Sequence, residues 1–99
     1  MNTVLKIGFA LALLPTATAL AYTGEKFASE AKVTMANAEK IALRARPGKV
    51  TDKKLEKEKG GSGLRYSFDI KAKGVTYEVG VDAADGTVLE NAKEGAHPD

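Results

Sequence analysis

The residues of this chain that could bind a metal or support catalysis are few and lie near its C-terminus. The only histidine is His97, the acidic residues near it are Asp99, Glu94 and Glu90, and the chain has no cysteine. A zinc site typically takes three or four converging ligands, and a nucleophile needs a neighbouring base. We favour a solvated His97 over a metal ion held by these four side chains. The sequence therefore predicts no catalytic residues, no metal site and no cofactor.

A pair of aspartates, Asp82 and Asp85, precedes Gly86 in a pattern that invites comparison with a calcium loop. A loop of the EF-hand type needs oxygen ligands at alternate positions and a closing glutamate across about twelve residues. Two alanines separate these aspartates, and Glu90 comes too early to close such a loop. We predict instead a turn in which the Asp82 carboxylate bonds its own backbone and Gly86 adopts a positive φ.

A run of five lysines and three acidic residues spans Lys49–Lys59. Surfaces that bind nucleic acid interleave aromatic side chains, and arginine forks recognise phosphate, but this run contains neither. We therefore predict a solvated edge strand and no nucleic-acid partner. The following segment, Gly60–Gly63, lacks the Lys-Ser/Thr pair of a phosphate-binding loop, so we assign it to a flexible connection.

The first 21 residues have the pattern of a secretory signal peptide. Lys6 precedes an apolar run over Ile7–Leu14, Pro15 interrupts that run, and the small residues Ala19 and Ala21 suit signal peptidase. We predict cleavage after Ala21, with Ala19 as the second choice, and a location in the periplasm or outside the cell. The alternative is an uncleaved membrane anchor, which needs roughly 20 mostly apolar residues.

Removal of residues 1–21 takes one of the 15 basic residues and none of the 13 acidic residues, so the net charge falls from +2 to +1. A charge this close to balance indicates no preference for nucleic acid or anionic lipid. A domain of this size buries only about 60% of its unfolded surface, and without cysteine no disulfide stabilises it. We therefore expect marginal stability.

The remaining chain predicts an α+β fold, with one α-helix packed on a four-stranded antiparallel β-meander. Thr34 has the side chain of a helix N-cap, and Pro47 ends the helix, which we place at about 35–46. Between them the apolar residues recur at helical spacing: Met35, Ala38, Ile41, Ala42 and Ala45. Residues 22–32 are a polar lead-in, and residues 92–99 are predicted to be a disordered tail.

Two segments of alternating apolar and polar residues, 64–72 and 75–82, predict a central β-hairpin that reverses at Lys73-Gly74. Weaker strands are predicted on either side, over 50–58 and 87–89. An aromatic stripe belongs to the core of this sheet and consists of Tyr66, Phe68 and Tyr77. A tyrosine of this stripe that faced outward would anchor a partner peptide.

In their order and spacing these elements resemble the PepSY family. The resemblance is carried by the Val33-Thr34 start of the helix, Ala38 and Ile41-Ala42, the Pro47-Gly48-Lys49-Val50 exit, Tyr77-Glu78-Val79 with Val81-Asp82-Ala83, and Asp85-Gly86-Thr87-Val88-Leu89. It implies one helix against an antiparallel sheet, with the domain over residues 33–91. It also implies a non-catalytic module that restrains proteases or otherwise regulates activity at the cell envelope.

From this resemblance we expect a protein partner, such as a protease, that is bound through a sheet edge or face. We expect no enzymatic activity and no membrane anchor after signal cleavage. No peptidase domain follows in this sequence, so we expect no propeptide role in cis. The alternative function is a periplasmic carrier of a small ligand or metal ion that uses the sheet face or the tail.

Overall fold

The computed structural model describes residues 21–95 of the 99-residue chain. The predicted signal peptide therefore lies outside the described residues, except for Ala21. The elements follow in the order 3₁₀ helix (Glu25–Glu30), α1 (Met35–Ala45), β1 (Lys49–Lys57), β2 (Leu64–Ala72), β3 (Val75–Asp82) and β4 (Val88–Lys93). The strands form one antiparallel sheet in the order β1-β2-β3-β4. This architecture confirms the predicted α+β meander.

Helix α1 begins at the predicted residue because Thr34 is its N-cap. The Thr34 hydroxyl accepts a hydrogen bond from the Asn37 N–H at 3.1 Å, which satisfies one of the unpaired N–H groups of the first turn. Ala38 and Ala42 lie on the sheet-facing side of α1 and are fully buried. Their small side chains allow the helix to approach the sheet closely. The helix ends at Ala45, because Pro47 disfavours helical backbone at the residue before it.

The core lies between α1 and the helix-facing side of the sheet. Strand alternation places the apolar side chains of β2 and β3 on this side, and the register pairs Phe68 with Val79 and Ile70 with Tyr77. The largest fully buried side chains are Leu55, Tyr66, Phe68, Ile70, Val79 and Val81. Full burial of one large apolar side chain contributes about 1.5–3 kcal/mol. These side chains therefore supply most of the cohesion of a domain that has no disulfide.

The lead-in segment has more regular structure than its polar sequence predicts. It forms the 3₁₀ helix, which packs on β1, and Thr23 makes a parallel bridge with Lys54. The Leu55 N–H donates to the Thr23 carbonyl at 2.9 Å. Gly24 permits this approach, because it has φ 85° and because a Cβ there would collide with the Leu55 carbonyl oxygen. Backbone pairing of this kind leaves no hydrophobic period in the sequence.

The two outer strands depart in detail from the sequence prediction. Strand β4 continues to Lys93 instead of ending at Leu89. Its second half is polar and gives little alternation, but the Glu94 N–H still donates to the Thr76 carbonyl at 2.9 Å. In β1 the pairing with β2 shifts by one residue between Val50 and Asp52. This register shift lies in the charged part of β1.

Candidate interaction site at the open edge of the sheet

The sequence candidates for metal binding do not converge in the described part of the chain. Glu90 lies in β4 and Glu94 directly follows that strand, whereas His97 and Asp99 lie outside residues 21–95. Within those residues, no three or more histidine, cysteine, aspartate or glutamate side chains are grouped to hold a metal ion. The hypothesis of a metal ion at His97 therefore stays untested.

Asp82 forms the turn that the sequence predicts, and its carboxylate also holds a second loop. Oδ1 accepts from the Ala84 N–H at 2.7 Å, and Gly86 has φ 81°, which confirms the turn. The same carboxylate accepts from the Ser62 N–H at 2.6 Å and from the Ser62 hydroxyl at 2.8 Å. The loop Gly60–Gly63 is thereby fixed to the β3–β4 turn.

The environment of Asp82 keeps its carboxylate ionised. Only 3% of the residue is exposed, and burial on its own raises the pKa of this carboxyl. Hydrogen bonds from Ala84, Ser62 and the Asp85 backbone lower it by more, so the pKa of Asp82 lies below its usual value of 3.8. A carboxylate with a depressed pKa whose oxygens are occupied by neighbouring donors is a structural anchor, not a general acid or base.

The lysine-rich strand β1 is an edge of the sheet, as predicted, and it is a covered edge. Lys53 forms an ion pair with Glu39 at 3.2 Å, and Lys57 forms one with Glu30 at 2.9 Å. The Lys57 Nζ also lies 5.0 Å from the ring centroid of Phe27 in the 3₁₀ helix. Lysine side chains on an edge strand discourage the addition of another strand. Together with the Thr23 bridge, these contacts close this edge to most partners.

A surface cleft of about 440 Å³ lies between the lead-in segment, α1 and the start of β1. Tyr22 and Val50 line it, and the Lys53–Glu39 ion pair stands on its wall. The pair contributes one charge of each sign. Asp52 also lines the cleft, so its lining carries one more negative than positive charge.

Among the residues that the structure describes, the opposite edge of the sheet, formed by β4, presents backbone groups that pair with no other strand. The Glu94 N–H bonds the Thr76 carbonyl, and the register places Ala92 opposite Glu78. Backbone groups alternate in direction along an antiparallel strand, so those of Asn91 and Lys93 point away from the sheet. Among residues 21–95 no strand pairs with this edge.

A cluster of three side chains, Arg46, Tyr77 and Asn91, stands beside this edge on the helix-facing side. The Arg46 guanidinium carbon lies 3.8 Å from the ring centroid of Tyr77. The Arg46 Nε donates to the Asn91 Oδ1 at 3.0 Å, and the Asn91 Nδ2 donates to the Ala45 carbonyl at 3.3 Å. Arginine stacked on an aromatic face and fixed through Nε keeps its two Nη groups for another acceptor.

Local sequence explains how Arg46 reaches this position. It is the C-cap of α1, and its backbone is extended, with φ −145° and ψ 92°, as expected for a residue before proline. From the sequence alone, Arg46 is only a basic residue at the end of the predicted helix, where it suits the helix dipole, and Tyr77 only a member of the aromatic stripe. In the structure Tyr66 and Phe68 are buried, whereas Tyr77 is half-buried beneath Arg46. The Arg-Pro pair was the available signal for a redirected side chain.

Comparison with protein families places the cluster inside a known domain type. The PepSY family model, described as peptidase propeptide and YPEB domain, matches residues 32–91. The chain belongs to the PepSY family. The PepSY match includes Arg46, Tyr77 and Asn91. PepSY domains are generally non-catalytic modules, and no enzyme family matches the chain.

No curated protein and no solved structure matches this PepSY chain. In the part of the chain that the structure describes, no helix has the length and hydrophobicity to cross a bilayer. The candidate site is therefore defined by the geometry of the β4 edge itself.

Proposed function

We propose that this PepSY protein is an exported, non-catalytic binding module that adds an extended segment of a protein partner to strand β4. The observation that carries the proposal is the open edge itself, at which the backbone groups of Asn91 and Lys93 point outward. In strand addition, main-chain hydrogen bonds supply affinity and alternate side chains supply specificity.

The difference between the two sheet edges supports β4 as the binding edge. Strand β1 is covered by the Thr23 bridge and by paired lysines. Strand β4 begins with Val88, which is 39% exposed and is the one exposed large hydrophobic side chain among residues 21–95. An edge with unpaired backbone groups and an exposed apolar side chain can act as a template for another strand.

The proposed partner is a protein of the cell envelope, with secreted proteases as the first candidates. The protease assignment rests on the implied regulatory role of the PepSY family, and the location rests on the signal-peptide pattern of residues 1–21. Inhibition of a protease through strand addition requires no catalytic group on this chain, in keeping with the structural role of Asp82.

A site-specific crosslinking experiment tests the proposal. The full chain is expressed in its host with a photoreactive amino acid in place of Val88 on the β4 edge. The matched control carries the same amino acid in place of Thr51 on the β1 edge. We expect a covalent adduct with one envelope protein from position 88 only. Identical adducts from both positions would count against β4 as the binding edge.

The captured protein is then purified and titrated with variants of this chain. Val88→Lys places a charge on the open edge and is expected to weaken binding measurably, because a lysine on an edge strand discourages strand pairing. Thr51→Lys, a matched charge on the covered edge, is expected to leave the dissociation constant unchanged. If the captured protein is a protease, its activity on a peptide substrate is measured in the same titration. Equal effects of the two lysines would contradict the proposal.

A further inference from the structure

Two side-chain contacts hold the Arg46 guanidinium, and one backbone bond fixes the residue that carries it. Its guanidinium stacks on Tyr77 at 3.8 Å, and its Nε donates to Asn91, which is itself fixed on the Ala45 carbonyl. Its backbone N–H donates to the Ala42 carbonyl at 2.8 Å. A planar guanidinium fixed in this way has already lost the side-chain freedom that binding would otherwise remove.

Within residues 21–95, the side-chain contacts of Arg46 are the stacking on Tyr77 and the Nε bond to Asn91, and neither occupies an Nη group. No acidic side chain of residues 21–95 forms an ion pair with Arg46. Two parallel N–H groups of a guanidinium match the two oxygens of a carboxylate. Lys93 lies directly opposite Tyr77 across β3 and β4, so a second positive charge stands on the same face of the sheet.

We propose that Arg46 is the specificity contact of the β4 edge and that it binds a carboxylate side chain of the added strand. This inference rests on the proposed function, because it names the kind of segment that the open edge accepts. The partner segment is extended and carries a glutamate or aspartate on its helix-facing side, opposite Asn91.

The geometry of strand pairing supports this position. Residues directly opposite each other across two antiparallel strands have Cβ atoms about 4.5–5.5 Å apart and lie on the same face. A partner residue opposite Asn91 therefore projects toward the helix-facing side, where Asn91 already contacts Arg46 at 3.0 Å. A carboxylate at that position reaches the Nη groups without displacing Tyr77 or Asn91.

A pair of peptides tests the inference in the mature protein purified from cells that express the full chain. The first probe is a capped eight-residue peptide of alternating threonine and valine with one central glutamate, and the second carries glutamine there. Binding is followed through backbone amide shifts in NMR spectra. We expect shifts at Asn91 and Lys93 and a roughly ten- to hundredfold preference for the glutamate peptide, as for one charge-assisted hydrogen-bond pair.

Three variants identify the contact. Arg46→Gln is expected to abolish the preference for glutamate, and Arg46→Lys to retain only part of it because lysine lacks the fork. Arg44→Gln is the matched control, since it removes the same charge from the exposed face of the last turn of α1, and it is expected to keep the preference. Circular dichroism verifies that each variant is folded.

The outcomes separate this inference from the proposed function. Equal binding of both peptides at β4, or equal behaviour of Arg46→Lys and the unmodified protein, would overturn the Arg46 assignment and leave strand addition intact. Peptide-induced shifts at β1 and not β4, or none at millimolar peptide, would overturn both. Binding of the glutamate peptide only after removal of residues 96–99 would also overturn the inference, because the unmodified protein would then not accept the segment.

Discussion

Ser62 and Asp82 are joined by two hydrogen bonds, one from the Ser62 N–H at 2.6 Å and one from its hydroxyl at 2.8 Å. Gly61 lies so close to this carboxylate that a Cβ at that position would collide with it, and its φ is +56°. The glycines of the Gly60–Gly63 loop therefore allow its backbone to approach the Asp82 carboxylate closely. One buried carboxylate connects this loop to the turn that leads into β4.

Asp82→Asn is expected to destabilise the domain by about 1–3 kcal/mol, because an amide NH₂ group would face a buried N–H donor. The loss is measured by equilibrium urea denaturation at neutral pH. Asp85→Asn is the control, since the exposed Asp85 accepts from the Thr87 N–H at 2.9 Å and an amide oxygen can also accept that bond. Equal shifts of the two midpoints would contradict the anchoring role of Asp82.

Acid is expected to weaken the domain partly through Asp82. Because its folded-state pKa lies below 3.8, the folded chain binds fewer protons in acid than the unfolded chain does. The stabilisation is complete above the unfolded pKa and is lost as the pH falls from about 4 through the lower folded value.

Urea titrations between about pH 5 and pH 2 measure this effect. The unmodified protein should lose more stability over that range than Asp82→Asn does. Parallel pH profiles of the two proteins would show that other carboxylates account for the acid sensitivity.

Tyr66→Phe is expected to cost about 1 kcal/mol of unfolding free energy, because it removes the hydrogen bond to the Val33 carbonyl at 2.6 Å. Thermal unfolding and urea denaturation both report this loss. Tyr77→Phe is the matched control, since the contact of Tyr77 found within residues 21–95 is the stacking of its ring against Arg46, which a phenylalanine ring can also make. A larger loss from Tyr77→Phe would contradict the assignment of these two tyrosines.

Gly24→Ala is expected to release the lead-in segment from β1. The new Cβ would collide with the Leu55 carbonyl, so the bond from the Leu55 N–H to Thr23 should break. Hydrogen exchange at the Leu55 amide should become about tenfold faster or more, equivalent to ~1.4 kcal/mol of local stability.

Gly74→Ala supplies the control for that measurement. Gly74 has φ 80° but no neighbour within 4 Å of an added Cβ, so this variant adds backbone strain without a collision. Exchange at Leu55 should remain slow in Gly74→Ala. Fast exchange in both variants would show that backbone strain, and not the contact with β1, governs this segment.

Patterns that depend on neighbouring residues could be predicted from the sequence. The period of two over β2 and β3 determines their shared buried face, and Lys73-Gly74 determines their reversal. Thr34 and Pro47 delimit α1 because capping and the restriction before proline act within one turn. The Asp82 turn was predictable for the same reason, since its bond to Ala84 spans two residues.

The sequence by itself thus determined the elements and the core face of the sheet. Only the tertiary structure decided which edge of the sheet is open and what stands beside it. Asn91 meets Arg46 across 45 residues, and Ser62 meets Asp82 across 20. Such contacts depend on the strand register and on the position of the helix across the sheet. The packing of the whole core sets both, so no local pattern in the sequence encodes them.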